Sequence, residues 1–329
     1  MLYQSDDIHL IYAGGTFGSH GTPLSPLSAH EFLPVLQNLL NSRLDSRQVI
    51  LDNDCILDND CIKDSSTLTP ADFTHFYELI RTAHQQGARR FVLITGTDTL
   101  SFLASFLFHA FADSDLSLVI TGSMNPLLVA DNPAYHIDDT SDAWHNLSDA
   151  INVSQTHQGV FVQFCHQTFW ADNTQKIDSL NPNAFYGTHV SHPSLTLPTV
   201  RPEPFDIIKH HTNTANIKSV FLLPNDTSHI AQELANIDDN TTAVILIAYG
   251  AGNLPKSDAI IAELDRLHEQ NIPVICTTMC PFHGVSTTYA AGSWQYAHHV
   301  WSGGKLSIPA IYGRLLWLAV NNALCSDNW

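Results

Sequence analysis

Short apolar runs alternate with longer amphipathic stretches along this chain. Residues 8–12, 91–94, 118–121 and 160–164 are continuous and apolar, which predicts strands buried on both faces. Between them the period changes. Thr69-Pro70-Ala71-Asp72 predicts a helix start, with Thr69 as N-cap and Pro70 at the first helical position. Phe73, Phe76, Tyr77 and Ile80 then recur at helical spacing, and Gly87 suits a left-handed helix end. A strand follows at once. Such alternation predicts an α/β fold with a doubly wound, mostly parallel sheet.

The pattern breaks at residues 195–216. Pro198, Pro202 and Pro204 crowd together there, ahead of His210-His211, and the stretch is expected to be an inter-domain linker. Beyond it strands are expected at 220–223, 244–247 and 274–276, and Ile260, Ile261, Leu264 and Leu267 mark one face of a helix. The expected organisation is a larger N-terminal α/β domain (1–194), the linker (195–216) and a smaller C-terminal α/β domain (217–329). Length agrees, because a single core stops growing near ~250–300 residues and this chain has 329.

Composition narrows the function. The chain carries 14 Lys+Arg against 32 Asp+Glu, a formal charge of −18, so no basic stripe exists to neutralise nucleic-acid phosphates. Anionic membrane surfaces would repel it, and no run approaches the ~18 apolar residues of a membrane span. The N-terminus lacks a basic segment followed by an apolar one, so no signal peptide is expected. Six scattered cysteines in so long a chain suggest reduced thiols and a cytoplasmic setting.

Two features suggest metal and fail on inspection. The hexapeptide beginning at Leu51 is repeated from Leu57, but the glycine and distal glutamate of a calcium loop are missing. A tandem duplication lengthening a strand or loop is the expectation. Among nineteen histidines the pairs His210-His211 and His298-His299 lack a His-x-Glu or Cys-x-x-Cys framework, so no metal site is expected.

The candidate chemistry lies at strand ends. Gly14-Gly15-Thr16 follows the first strand, where glycines allow close backbone approach. It lacks the third glycine of a dinucleotide fingerprint, and Gly303-Gly304-Lys305-Leu306 lacks the hydroxyl of a phosphate loop. Gly96-Thr97-Asp98-Thr99 follows another strand and opens a helix, where the Thr-Asp pair is either a cap or part of a ligand crevice. Lys176 is a rare cation in an acidic chain.

With both threonine motifs in place, the chain resembles the bacterial-type L-asparaginase family (asparaginase/glutaminase), and its cytoplasmic type I branch best. The resemblance runs over nearly the whole length. It is carried by Ile11-Tyr12-Ala13-Gly14-Gly15-Thr16, by Asp64-Ser65-Ser66-Thr67-Leu68-Thr69-Pro70 and by Ile94-Thr95-Gly96-Thr97-Asp98-Thr99. Ile120-Thr121-Gly122-Ser123-Met124-Asn125-Pro126 and Tyr249-Gly250-Ala251-Gly252-Asn253-Leu254-Pro255 continue it. Counting on from Phe161-Val162-Gln163-Phe164, the family's lysine falls on Lys176.

The resemblance implies hydrolysis of L-asparagine to L-aspartate and ammonia without a cofactor, with glutamine as a neighbouring substrate. Thr16 would be the nucleophile of an acyl-enzyme, with Thr97, Asp98 and Lys176 completing the catalytic set. Ser65 and Ser66 would hold the substrate carboxylate. Gly15, Gly96 and Ser123 would line the substrate site, with backbone amides near Thr97 and Gly15 as the oxyanion hole. Asn253 would reach a neighbouring subunit's site, which implies a homodimer or homotetramer.

Three positions depart from the family. Ala13 replaces a threonine, and Thr95 replaces a histidine that supplies a hydrogen bond behind the site. The lid after the first motif, Phe17-Gly18-Ser19-His20-Gly21-Thr22-Pro23-Leu24-Ser25, has no tyrosine to activate the nucleophile. His20, Thr22 and Ser25 are the candidates to replace it. The missing tyrosine also motivates an alternative, a weak or inactive protein that binds asparagine or aspartate as a sensor.

Overall fold

Strand pairing organises the chain into two units divided between Leu195 and Thr196. The structure, a computed structural model, describes residues 3–44, 49–51 and 62–329. The body of the repeated hexapeptide, with Cys55 and Cys61, lies outside the described residues.

The first unit is built on a six-stranded sheet. Its strands are β1 (Ile8–Tyr12), β4 (Val49–Leu51), β5 (Arg90–Ile94), β6 (Ser117–Thr121), β7 (Gly159–Phe164) and β8 (Gln167–Trp170). Two small hairpins stand apart, β2 (Ser19–His20) with β3 (Ser25–Pro26), and β9 (Gln175–Lys176) with β10 (Phe185–Tyr186). The spatial order is β4-β1-β5-β6-β7-β8. All neighbours are parallel except β7 and β8. The chain runs from β1 outward to β4 and then returns to the other side of β1 for β5. The direction of winding therefore reverses between β1 and β5, and a crevice opens at their carboxyl ends.

Burial explains the long apolar runs. β1 and β6 are buried along their whole length. Ile8, Leu10 and Tyr12 share one face with Val92, Ile94, Val119 and Phe161. Helices α1 (Ala29–Arg43) and α4 (Asp142–Thr156) cover that face with Phe32, Leu36, Leu40, Leu147 and Ile151. Helices α2 (Pro70–Gln85) and α3 (Leu100–Ala110) pack on each other through Phe73 and Phe106, whose rings are 6.0 Å apart. The expected start of α2 is present: Thr69 and Asp72 form a reciprocal capping box, with Pro70 in the first turn. Gly87 ends it with φ of 109°.

Strand β8 was not legible in the sequence. The turn before it is only Cys165 and His166, both left-handed at φ of 48° and 60°. Neither is a usual residue for such a hairpin turn. Bonds from outside hold it: Cys165 N donates to Asn146 Oδ1 (2.8 Å), and His166 Nδ1 meets Asp149 Oδ2 (2.7 Å).

The second unit has four parallel strands in sequential order, β11 (Ile217–Phe221), β12 (Ala243–Ala248), β13 (Val274–Thr278) and β14 (Trp301–Ser302). Its longer helices are α5 (Phe205–Thr212), α6 (Thr227–Ala235), α7 (Asp258–Glu269) and α8 (Ile308–Val320). Ile260, Leu264 and Leu267 face the core, as their spacing predicts, whereas Ile261 is only half-buried. Two expectations shift. The strand expected at 220–223 begins earlier, because β11 is an edge strand whose Lys218 is paired with Asp238 (2.8 Å) and interrupts the apolar signal. The stretch expected as a linker contains α5, whose Ile208 is fully buried. Its prolines end just before the helix, with Pro204 at the cap, and Glu203 N donates to Asn321 Oδ1 (2.8 Å) at the end of α8.

One buried charge in the first unit has a consequence for stability. Asp172 is fully buried between β8 and β9, and its Oδ2 accepts from Leu195 N (2.7 Å) while Oδ1 has no hydrogen-bond partner. Burial pushes its carboxyl up to about 6. Below about pH 4 the folded and unfolded forms are both protonated and the group contributes nothing. As pH rises toward 6 the unfolded chain ionises first, so folding carries a growing cost, fully present above about 6 and worth up to about 3 kcal/mol. Asp172→Asn keeps an acceptor for Leu195 and removes the charge. It is expected to raise the melting temperature at pH 7.5, with the gain vanishing near pH 4, as thermal denaturation across that range will show.

Candidate active site

The crevice between β1 and β5 is formed by glycines. After β1, Ala13 N still pairs with Ile94 O (2.8 Å), and the chain then turns through Gly14 and Gly15 at φ of 91° and 77°. On the other side Lys63 N donates to Ala13 O (3.1 Å), and Gly15 N donates to Lys63 O (3.0 Å). A Cβ on Gly15 would overlap the backbone of Gly96, and a Cβ on Gly96 would overlap Ser65 Oγ. Three chain segments therefore meet at van der Waals distance, and only glycine fits at the first two.

Each segment delivers a polar group. Thr16 starts a single 3-10 turn, Thr16–Gly18, and is partly exposed. Ser65 starts another, Ser65–Thr67, capped by Asp64, and is buried. Ser65 Oγ accepts from Asp98 N (3.2 Å) and Ser65 O accepts from Thr99 Oγ1 (2.7 Å), which locks this loop to the start of α3. Lys176 comes from β9, outside the sheet. Its Nζ donates to Thr97 Oγ1 (2.8 Å) and to Asp98 Oδ1 (2.9 Å). The lysine side chain is 22% exposed and Asp98 60%, so the ion pair sits at the mouth and the Lys–Thr bond lies deeper.

Thr16, Ser65, Thr97, Asp98 and Lys176 line one cleft of about 200 Å³ with Gly15, Gly96, Asp64, Met124 and Ser179. It is small and polar, suited to a compact polar molecule. The last three lining residues were not singled out from the sequence. Asp64 has a local signal, an Asp-x-Ser turn in which Oδ1 accepts Ser66 N (2.9 Å). Ser179 has none, because a hairpin turn brings it there.

Other sequence candidates lie elsewhere. Ser66 is exposed and its Oγ donates to Asp64 Oδ1 (2.7 Å) rather than facing the cleft. Ser123 is fully buried beside Met124, and its Oγ has no hydrogen-bond partner. Asn253 belongs to the second unit, where the Tyr249 turn holds its backbone and its Oδ1 is buried without a partner. Gly15 is a spacer: its N–H serves Lys63 and its carbonyl accepts from Ser19 Oγ (2.9 Å), so it is no oxyanion donor. Thr95, buried at the end of β5, also has no partner for its Oγ1.

The lid candidates do not line the cleft. His20 Nε2 donates to Asn132 O (3.1 Å) and its ring lies edge-on to Tyr135 at 5.1 Å. Thr22 Oγ1 donates to Asp131 Oδ2 (2.8 Å), and Ser25 is exposed on β3. The β2–β3 hairpin is tied to the 125–141 loop, because Phe17 and Leu127 anchor both segments in one core. Among the described residues no group of three or more His, Cys, Asp or Glu is placed to hold a metal ion, and no helix is long and apolar enough to cross a membrane.

Fold and cleft together define a class: an open α/β protein presenting hydroxyls and one ammonium at the reversal point of a parallel sheet. Residues 7–202 match the family described as Asparaginase, N-terminal, and residues 216–323 match Glutaminase/Asparaginase C-terminal domain. The chain belongs to the asparaginase family, a family of hydrolases. It is 26% identical over 330 residues to L-asparaginase 1 of Escherichia coli K12, covering 96% of this chain and 92% of that protein. The crystal structure of L-asparaginase I from Vibrio cholerae has the same fold, with a TM-score of 0.73 at 22% identity over 96% of this chain and 93% of that one. The thermostable L-asparaginase from Thermococcus kodakarensis superposes with a TM-score of 0.71 at 23% identity, over 94% and 92%.

The glycine contact is testable on its own. Gly15→Ala forces a side chain into the Gly96 backbone at a positive φ, and is expected to cost at least about 2 kcal/mol. Gly304 has a positive φ but open space around it, so Gly304→Ala should cost only about 1 kcal/mol. Urea denaturation of both variants will measure the difference.

Proposed function

We propose that this protein hydrolyses L-asparagine to L-aspartate and ammonia, with Thr16 as nucleophile. The observation that carries the reading is the bond from Lys176 Nζ to Thr97 Oγ1 in a cleft that Thr16 also lines. A lysine and a threonine from distant parts of the chain meet there, which a binding pocket alone would not require. Thr16 Oγ1 attacks the side-chain amide carbon, and its proton leaves with the nitrogen as ammonia. Water then cleaves the ester, releasing aspartate and restoring the threonine. The Thr97–Lys176 pair relays the proton at each stage. With Gly15 N–H engaged by Lys63, the oxyanion role falls to the amide of Thr97.

Asp98 Oδ2 remains to meet the substrate ammonium while Oδ1 holds Lys176, and Ser65 meets the substrate carboxylate. Glutamine, longer by one methylene, carries the same ammonium and carboxylate and is proposed as a side substrate. We place the protein in the cytoplasm, in keeping with the free thiols of Cys165, Cys276, Cys280 and Cys325. It is proposed to form a homodimer or homotetramer, with Asn253 serving a neighbouring site. Sedimentation of the purified protein should show at least a dimer.

Ammonia release from purified protein with L-asparagine tests the activity. Thr16→Ala and Lys176→Met should each lower turnover by at least ~10³-fold with unchanged circular dichroism. Full activity in Lys176→Met would overturn the mechanism. Thermal stabilisation by aspartate with no ammonia release would instead support a sensor.

A further inference from the structure

The loop carrying Ser65 is held shut by a carboxylate outside the cleft. Asp72, in the first turn of α2, uses one oxygen at each end of that loop. Its Oδ2 accepts from Thr69 N (2.8 Å) and Thr69 Oγ1 (2.8 Å), where the loop ends. Its Oδ1 accepts from Lys63 Nζ (2.6 Å), where the loop begins. The pair is mostly shielded, with the Asp72 side chain 13% exposed and Lys63 30%. Lys63 is itself anchored by its backbone to Ala13 and Gly15, beside the proposed nucleophile. The ends of the loop are thus tied to each other through a single carboxylate, and the backbone of Lys63 ties the first end to the loop of Thr16.

Between those ends Ser65 has little room. Its Oγ already accepts from Asp98 N, so its hydroxyl hydrogen is the one left to point into the cleft, and the Cα of Gly96 closes the space behind it. A helix cap alone explains only the Thr69 half of this arrangement. Lys63 is not needed for capping, and it does not line the cleft. An ammonium on the first residue of the loop has a clear effect: added to the backbone bonds of Lys63, it ties that end of the loop to the end held by the cap, and so restricts where Ser65 stands between them.

We infer that the Lys63–Asp72 ion pair is a clasp that positions Ser65 and sets how tightly the site holds the carboxylate of its substrate. The inference rests on the asparagine-hydrolase reading. Lys63 is a positioning residue, acting through Ser65, and the chemical step at Thr16 does not depend on it. Removing the clasp should therefore change binding more than turnover.

The experiment compares full-length wild type, Lys63→Met and Lys63→Arg by steady-state ammonia release from L-asparagine, by calorimetric titration with L-aspartate, and by thermal denaturation. Lys63→Met should raise KM for asparagine and Kd for aspartate by roughly 10-fold, within the range that a misplaced binding group costs, with kcat within about twofold. Lys63→Arg, which keeps the ion pair, should return both constants to within about threefold of wild type. A lower melting temperature with unchanged KM and Kd would reduce the pair to a structural ion pair and overturn the inference. So would a loss confined to kcat. Wild type that releases no ammonia would sink the hydrolase reading and this inference with it, whereas active wild type with an indifferent Lys63→Met sinks the inference alone.

Discussion

Gly15 and Gly96 touch backbone to backbone at the fork between β1 and β5, and the whole cleft is measured from that contact. Parallel strands part at their carboxyl ends only where the winding reverses, and here the reversal lies between these two strands. Without side chains at the fork, the loops after β1 and β5 approach closely enough for Lys63 to pair with the first and Ser65 to pack against the second. Any side chain at Gly15 would push Thr16 away from Thr97. The left-handed φ of Gly14 and Gly15 makes the turn possible, and the lack of a Cβ makes the approach possible.

Around that fork, carboxylates add to the backbone ties. Asp64 accepts from Ser66 N, Asp72 holds both ends of the Ser65 loop, and Asp142 accepts from Met124 N (2.9 Å) and Asn125 N (2.9 Å) after β6. The acidity of the chain, which in bulk says only that nucleic acid is a poor partner, has a local use as well. Ionised carboxylates are strong acceptors for backbone N–H groups and order loops that have no sheet to join. Lys176 depends on a different support. It comes from a two-residue strand outside the main sheet, so its position rests on the turn around Asp172 and on its own bonds to Thr97 and Asp98.

Much of the fold was legible because its signals are local. Strands buried on both faces read as unbroken apolar runs, and the Thr69-Pro70-Ala71-Asp72 string announces a helix start by its own hydrogen-bonding chemistry. The signal failed where the structure borrows support from afar. The Cys165-His166 turn is held by Asn146 and Asp149 of α4, and the helix in the expected linker forms against α8. The contacts of the lid candidates are likewise set from afar. His20 and Thr22 are bonded to the 125–141 loop, which nothing in their own segment announces.

By itself the sequence determined most of the buried strands, the start of α2, and the two glycine-threonine motifs at strand ends, and its resemblance to a known family added the serine loop and the lysine. The strands and the helix start follow from local periodicity, backbone conformation and capping, which neighbouring residues decide among themselves. Only the tertiary structure decided that β1 and β5 are neighbours, that Lys176 reaches Thr97, that Gly15 spends its N–H on Lys63, and that Asp72 closes the Ser65 loop. Each of those is a pairing between residues far apart in the chain. Strand order and side-chain partners depend on the packing of the whole unit, and no local pattern records them.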